Sequence, residues 1–143
     1  PFRKGLFLDS DQIEKHAQAC VDAFDVATPT LDHKTKFLSG GNLQKLILAR
    51  ELAMKPKVLL ANQPTRGLDV GVIEYVWQQL LEKRRDGDAI LLASEDLDEI
   101  LSMSDWVAPV YEGKIMGILP GEEAKREDVG AMMAGLTIEG VGS

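Results

Sequence analysis

The sequence predicts an α/β fold in which parallel strands are joined by crossover helices, preceded by a segment that is helical. Three observations carry this. Two short apolar runs, residues 58–61 and 89–93, are each too brief for a buried helix and sit at strand length. Between them Val72, Ile73, Val76, Trp77, Leu80 and Leu81 mark one face of a helix that ends near Gly87, so the runs are separated by a crossover connection. Upstream of both, over residues 9–24, the apolar or semi-polar positions recur at three- and four-residue steps.

The elements follow in order. Ile13, Ala17, Cys20, Val21 and Phe24 define a helix over 9–24, with Asp9 or Ser10 as its cap. Thr28-Pro29-Thr30 breaks that pattern, and the charged stretch 32–36 reads as loop. A second helix runs over 42–54, carries Leu43, Leu46, Ile47, Arg50 and Leu52, and stops before Pro56. After the strand–helix–strand unit, Asp96-x-x-Glu99 has capping-box spacing and starts another helix. Residues 106–111 and 114–119 read as two strands joined at Glu112-Gly113, and 122–133 as a terminal helix. No internal repeat or low-complexity segment interrupts the chain.

A chain of 143 residues with 45% hydrophobic content suits one domain with a sizeable core. The net charge of -7 argues against a nucleic-acid partner, which needs clustered Lys and Arg on one face. Cys20 is the only cysteine, so an intrachain disulfide is impossible. No apolar run approaches the roughly 20 residues a bilayer span requires, and any membrane link is expected to pass through a partner. The chain opens at Pro1-Phe2, without a Met and in what reads as a polar connector, and is expected to be a fragment.

Chemistry concentrates at Ser39-Gly40-Gly41, a turn that opens directly onto the second helix. Such a turn bares backbone N–H groups, lets the main chain approach an anion closely, adds the Ser39 hydroxyl as a donor, and places the positive end of the helix dipole there. The same three residues also make a plain N-cap. His16 and Cys20 share a helical face, but two ligands do not make a zinc site, and a packed Cys beside a surface His accounts for them. His33 has no evident triad partner, and Met132-Met133 reads as helix packing.

Leu38-Ser39-Gly40-Gly41-Asn42-Leu43-Gln44-Lys45, followed by Asn62-Gln63-Pro64-Thr65-Arg66-Gly67-Leu68-Asp69, resembles the signature motif and the Walker B plus D-loop region of an ABC-type ATPase. The wording is most similar to the second nucleotide-binding cassette of tandem sugar or nucleoside importers of the ribose type. Residues 91–100 resemble that family's switch-histidine region, and 104–115 its closing hairpin, so the likeness covers nearly the whole chain. The resemblance implies part of a P-loop NTPase core: residues 1–55 as the end of the helical subdomain with the signature, and 56–143 as the C-terminal part of the α/β core. The P-loop pattern G-x-x-x-x-G-K-S/T is absent, since Gly113-Lys114 is followed by Ile115 and reads as a hairpin turn.

Several matched positions depart from the family. Where it has a magnesium-associated carboxylate and a water-polarising carboxylate, this chain has Asn62 and Gln63. Where it has the switch histidine, residue matching puts Glu95, whose ionised form repels a γ-phosphate. Loop hydrogen bonding accounts for the first two equally well, and helix N-terminal charge for the acidic run 95–99. The signature, by contrast, matches fully, and Asp69 matches the D-loop aspartate.

In this family the signature serves the opposite half of a head-to-tail sandwich. The resemblance therefore implies that Ser39, Gly40, Gly41, Asn42 and Gln44 meet ATP in trans, with ATP and Mg²⁺ used by the intact protein and none bound by this chain alone. The implied partners are the other cassette, in the same polypeptide or as a homodimer, transmembrane permease subunits, and indirectly a solute-binding protein. The implied place is the cytoplasmic face of a bacterial inner membrane. One rival reading is a non-catalytic regulatory cassette that contacts permease or partner cassette. The other, an ABC protein acting on DNA or ribosomes, is disfavoured by the missing heptads and basic clusters. Strands as apolar as 58–61 and 89–93 require cover on both faces, so the fragment is expected to self-associate.

Overall fold

The computed structural model describes residues 2–4 and 7–138, which divide into two compact units: residues up to 59 with 64–89, and 60–63 with residues from 90 onward.

The first unit opens with a small antiparallel ribbon, β1 (Arg3–Lys4) on β2 (Phe7–Leu8), where the sequence suggested only a connector. Strands of two residues carry no periodicity to read. Helix α1 (Ser10–Ala23) forms as expected, with Asp9 Oδ1 accepting from Gln12 N at 3.1 Å. None of its residues is buried, so it rests on its neighbour through half-buried side chains only. A single 3₁₀ turn, Thr35–Phe37, leads to α2 (Gly40–Ala53), which starts two residues earlier than the apolar pattern indicated because both glycines join its first turn. Leu48 and Ala49 face inward, and the helix ends where Lys55 adopts a left-handed φ of 48° before Pro56.

Next comes β3 (Val58–Asn62), then α3 (Val70–Arg85), capped by Asp69 and buried through Val76 and Leu80, then β4 (Ala89–Ala93). The two strands pair. They run in parallel: Ala89 N donates to Lys57 O at one end (3.0 Å) and Gln63 N to Ala93 O at the other (2.8 Å). A 16-residue helix supplies the crossover that a parallel pair requires. Buried Asp88, just ahead of β4, receives Lys57 Nζ at 2.9 Å and Lys83 Nζ. Hydrogen bonds from these two ammoniums hold its carboxyl below the usual aspartate range, and Asp88 in return raises Lys57. The strands' other side is bare, with Val58 62%, Leu60 73% and Leu91 66% exposed.

Helices α2 and α3 meet closely at Gly41. A Cβ placed there would lie 2.8 Å from Val72 Cγ2, a branched side chain with little rotamer freedom. Gly40, one residue earlier, has open space in the same position. Gly41→Ala is therefore expected to destabilise the fold by about 1–3 kcal/mol through overpacking. Thermal melts of Gly41→Ala and of Gly41→Ala with Val72→Ala check this: the second substitution should restore much of the loss, and equal melts for the two would refute the contact.

In the second unit α4 (Leu97–Met103) begins at Asp96, whose Oδ1 accepts from the N–H groups of Asp98 (2.9 Å) and Glu99 (3.4 Å). Glu99, the far member of the expected capping box, is fully buried. The terminal hairpin departs from two continuous strands. It breaks into an outer pair, β5 (Trp106–Val107) with β8 (Leu119–Pro120), and an inner pair, β6 (Val110–Tyr111) with β7 (Lys114–Ile115). Val107 pairs with Leu119 and Val110 with Ile115, so three steps on one side oppose four on the other, a one-residue bulge at Met116–Ile118. Pro109 lacks an N–H and contributes only its carbonyl, to Met116 N at 2.8 Å.

Helix α5 (Arg126–Met133) starts later than residue 122 because Pro120 O takes the N–H groups of Glu123 and Ala124 in a turn. It closes on a Schellman motif: Leu136 N donates to Ala131 O and Gly135 N to Met132 O, with Gly135 at φ +87°. Arg126 pairs with Asp98, tying α5 to α4, and Val129 and Met132 are buried.

Candidate functional site

Ser39 is in extended conformation (φ -62°, ψ 157°), and its Oγ accepts from Asn42 N at 3.3 Å and from Asn42 Nδ2 at 3.0 Å. This satisfies one N–H of the first turn and leaves others, at exposed Gly40 and half-buried Gly41, without an intrahelical acceptor. Asn42 Oδ1 accepts from Ala27 N at 2.8 Å, so the carboxamide is engaged at both ends. Gln44 is half-buried on the same helix.

One turn further along α2, Lys45 Nζ donates to Asp25 O at 3.0 Å and to Asp25 Oδ2 at 2.7 Å, and lies 4.9 Å above the Tyr75 ring. Its side chain is only 16% exposed. Asp25 itself sits at a left-handed φ of 49°, which a non-glycine residue adopts at some cost. The hydrogen bond from Lys45 holds the Asp25 carboxyl below its usual range. Tyr75 OH donates to Phe24 O at 3.1 Å, and burial pushes that phenol up, reinforced by the charges of Asp25 and Glu82. Loop 24–27 is thus fastened to α2 by Asn42 and Lys45 and to α3 by Tyr75.

Asp69 caps α3 through Oδ1 to Val72 N at 3.1 Å. The Gly41–Val72 approach brings the first turn of that helix against the first turn of α2. Asn62 is exposed at the end of β3, and Gln63 follows in a left-handed conformation (φ 50°). Glu95 is exposed between β4 and α4, beside Ser94, whose Oγ accepts from Asp96 N at 3.0 Å. Ser39, Gly40, Gly41, Asn42, Gln44 and Asp69 belong to the first compact unit, whereas Asn62, Gln63 and Glu95 belong to the second.

Ser39 and Gly40 present an open helix start with free donors, a fit for phosphate oxygens. The carboxamides of Asn62 and Gln63 do not fit Mg²⁺, which favours charged oxygen ligands. Among the described residues no group of three His, Cys, Asp or Glu is placed to hold a metal. Cys20 Sγ and His16 Nε2 lie 3.7 Å apart, with the Phe2 ring tilted against the imidazole at 5.0 Å, a half-buried Cys beside an exposed His. His33 lies against Phe37. Asp25, Ala27 and Tyr75 were not legible as site residues, because nothing local marks a partner far away in sequence.

No family profile matches the chain. Individual relatives do. A glucose import ATP-binding protein of Haloferax volcanii is 48% identical over 136 residues, covering 94% of this chain and 25% of that protein. A nucleoside import ATP-binding protein of Lactococcus lactis is 43% identical, covering 94% and 27%, and a guanosine import ATP-binding protein of Bacillus subtilis 42%, covering 91% and 26%. The chain therefore spans about a quarter of the length of the curated relatives it matches. Among solved structures, a dimeric bacterial ABC transporter cassette superposes with a TM-score of 0.67 at 25% identity, over 82% of this chain and 50% of that one. The same cassette in a post-hydrolysis state is bound to ADP and Pi. An ABC transporter component of Clostridium perfringens superposes with a TM-score of 0.63 at 28% identity, over 83% and 47%. The chain is a homologue of the ATP-binding proteins of sugar and nucleoside importers, and its fold is that of part of an ABC ATPase cassette.

Proposed function

We propose that this chain is the part of an import ATPase that presents its signature turn to ATP held by another cassette's P-loop, and so helps couple ATP hydrolysis to sugar or nucleoside uptake. The observation that carries the reading is the open, Ser39-capped start of α2, with unengaged backbone donors at Gly40 and Gly41. Ser39 and the two glycines supply donors to the terminal phosphate. Asn42 and Gln44 lie behind them, and Asp69, the matched D-loop aspartate, caps the neighbouring helix α3. Residues 1–55 act as the end of the helical subdomain and 56–143 as the C-terminal part of the core.

The chain's own site is degenerate. Asn62 and Gln63 have no charge for Mg²⁺ and no basic lone pair near neutral pH, and Glu95 opposes a phosphate. Mg²⁺ therefore belongs with the partner's site. The partner cassette, transmembrane permease subunits and, through them, a solute-binding protein complete the assembly at the cytoplasmic face of the membrane.

Titration calorimetry of Mg-ATP into the 143-residue chain tests the division of labour. The chain lacks the amides and Lys of a P-loop, which make most phosphate contacts, so no micromolar binding is expected. Micromolar affinity of the folded chain would mean that it carries a nucleotide site of its own.

A further inference from the structure

The Ser39 hydroxyl has one hydrogen and two lone pairs, and Asn42 uses both lone pairs: its backbone N–H reaches Oγ at 3.3 Å and its Nδ2 at 3.0 Å. The orientation of the Asn42 carboxamide is not arbitrary. Ala27 N can only donate, so the amide atom 2.8 Å from it is the oxygen, and the NH₂ is left to face Ser39. With two donors directed at Oγ, the hydroxyl hydrogen is turned away from the helix, toward the exposed side of the turn.

We propose that Asn42 is a positioning residue which, bridged between Ala27 and Ser39, presets the Ser39 hydroxyl as an outward hydrogen-bond donor to an anionic phosphoryl oxygen. The inference rests on the proposed role of the signature turn and adds how that turn is prepared before nucleotide arrives. Two further contacts hold the bridge. Lys45 Nζ fastens the left-handed Asp25 through both its carbonyl and its carboxylate, and Tyr75 OH fastens Phe24 O, so Ala27 N–H follows a loop pinned at the two residues 24 and 25 just before it. A donor aimed in advance costs no reorganisation when charge develops on the phosphoryl group.

The test uses the complete ATP-binding protein with its partner cassette. Asn42→Asp keeps an oxygen for Ala27 N–H but puts a second acceptor against Ser39, which must then donate inward. ATP turnover is expected to fall about 10- to 100-fold, the same fall as in Ser39→Ala, with the melting temperature unchanged. The Ser39→Ala, Asn42→Asp double variant should be no slower than Ser39→Ala alone, because the hydroxyl to be reoriented is gone. Losses that multiply would show that the introduced carboxylate acts by charge repulsion and would overturn the inference. Full turnover by Asn42→Asp beside a crippled Ser39→Ala overturns it too, and leaves the signature's role standing. Full turnover by Ser39→Ala removes both. Should Asn42→Asp fail to fold, Asn42→Ser, too short to bridge, carries the test: a fall of about threefold that disappears in the Ser39→Ala background.

Discussion

Ser39→Arg is expected to abolish ATP turnover by the complete import ATPase, whereas Gln63→Ala is expected to change it by no more than about twofold. The asymmetry follows from where function resides in the chain. Ser39 is exposed at an open helix start, and its Oγ is held at that start by Asn42; in the proposed trans arrangement a long guanidinium there fills the volume assigned to the partner's γ-phosphate. The loss of the cap itself, about 1 kcal/mol, is too small to explain complete inactivation by unfolding. Gln63 offers neither a charge nor a base, so its removal takes away no step of hydrolysis. The turnover rates of the two variants, measured side by side, decide among three outcomes. Equal loss makes the local site catalytic after all. No loss in either variant favours the regulatory cassette, since hydrolysis would then not depend on this signature. Loss in Ser39→Arg alone supports the trans arrangement.

The parts of this molecule that were legible in the sequence are those whose cause is local. Helix α1 has its apolar residues at three- and four-residue steps and its cap at Asp9, and α3 has Asp69 three residues before the N–H it accepts from. The alternation of short apolar strand and amphipathic helix identified the parallel pair β3–β4, because a crossover must lie between parallel neighbours. What failed was also local, but aperiodic. The β5–β8 hairpin reads as two clean strands until Pro109 withholds a donor and an extra residue is accommodated opposite it. The start of α2 was displaced because Gly40 and Gly41 add nothing to an apolar pattern yet complete the first turn.

At the site the division is sharper. The turn, its glycines and its serine were readable as a capped helix start, since the chemistry lies in consecutive residues. The clamp that holds it was not. Asn42 meets Ala27 across 15 residues, Lys45 meets Asp25 across 20, and Tyr75 meets Phe24 across 51. No pattern in one sequence links such positions, and Lys45 in particular reads as an ordinary surface residue of an amphipathic helix until the fold brings Asp25 and Tyr75 to it. Gly41 is a related case: its sequence context suggests close approach of an anion, while the fold adds close approach of Val72.

The isolated chain is expected to self-associate with rising concentration, through the bare side of β3 and β4. Val58, Leu60 and Leu91 stand out from a two-stranded parallel pair whose outer backbone edges have no further strand among the described residues. Parallel strands are ordinarily covered on both faces, and burying one leucine contributes roughly 1.5–3 kcal/mol, so a few such side chains meeting their counterparts suffice for a weak dimer. Leu60→Lys with Leu91→Lys should suppress the association at little cost to the fold, since both side chains already face solvent. Light scattering across a concentration series, with an apolar dye as a second readout, measures the effect. A wild-type chain that stays monomeric at high concentration with low dye binding would show that the exposed leucines do not drive contact. A lysine variant that associates as strongly as wild type would move the surface elsewhere, first to Trp106, Val110 and Ile115 on the terminal hairpin, which are also exposed. In the complete protein the same leucines are expected to be covered by the rest of the cassette, and there the double lysine substitution should destabilise the fold. That reversal, harmless in the chain alone and damaging in the whole, separates a face awaiting its own domain from a surface that is solvent-exposed by design.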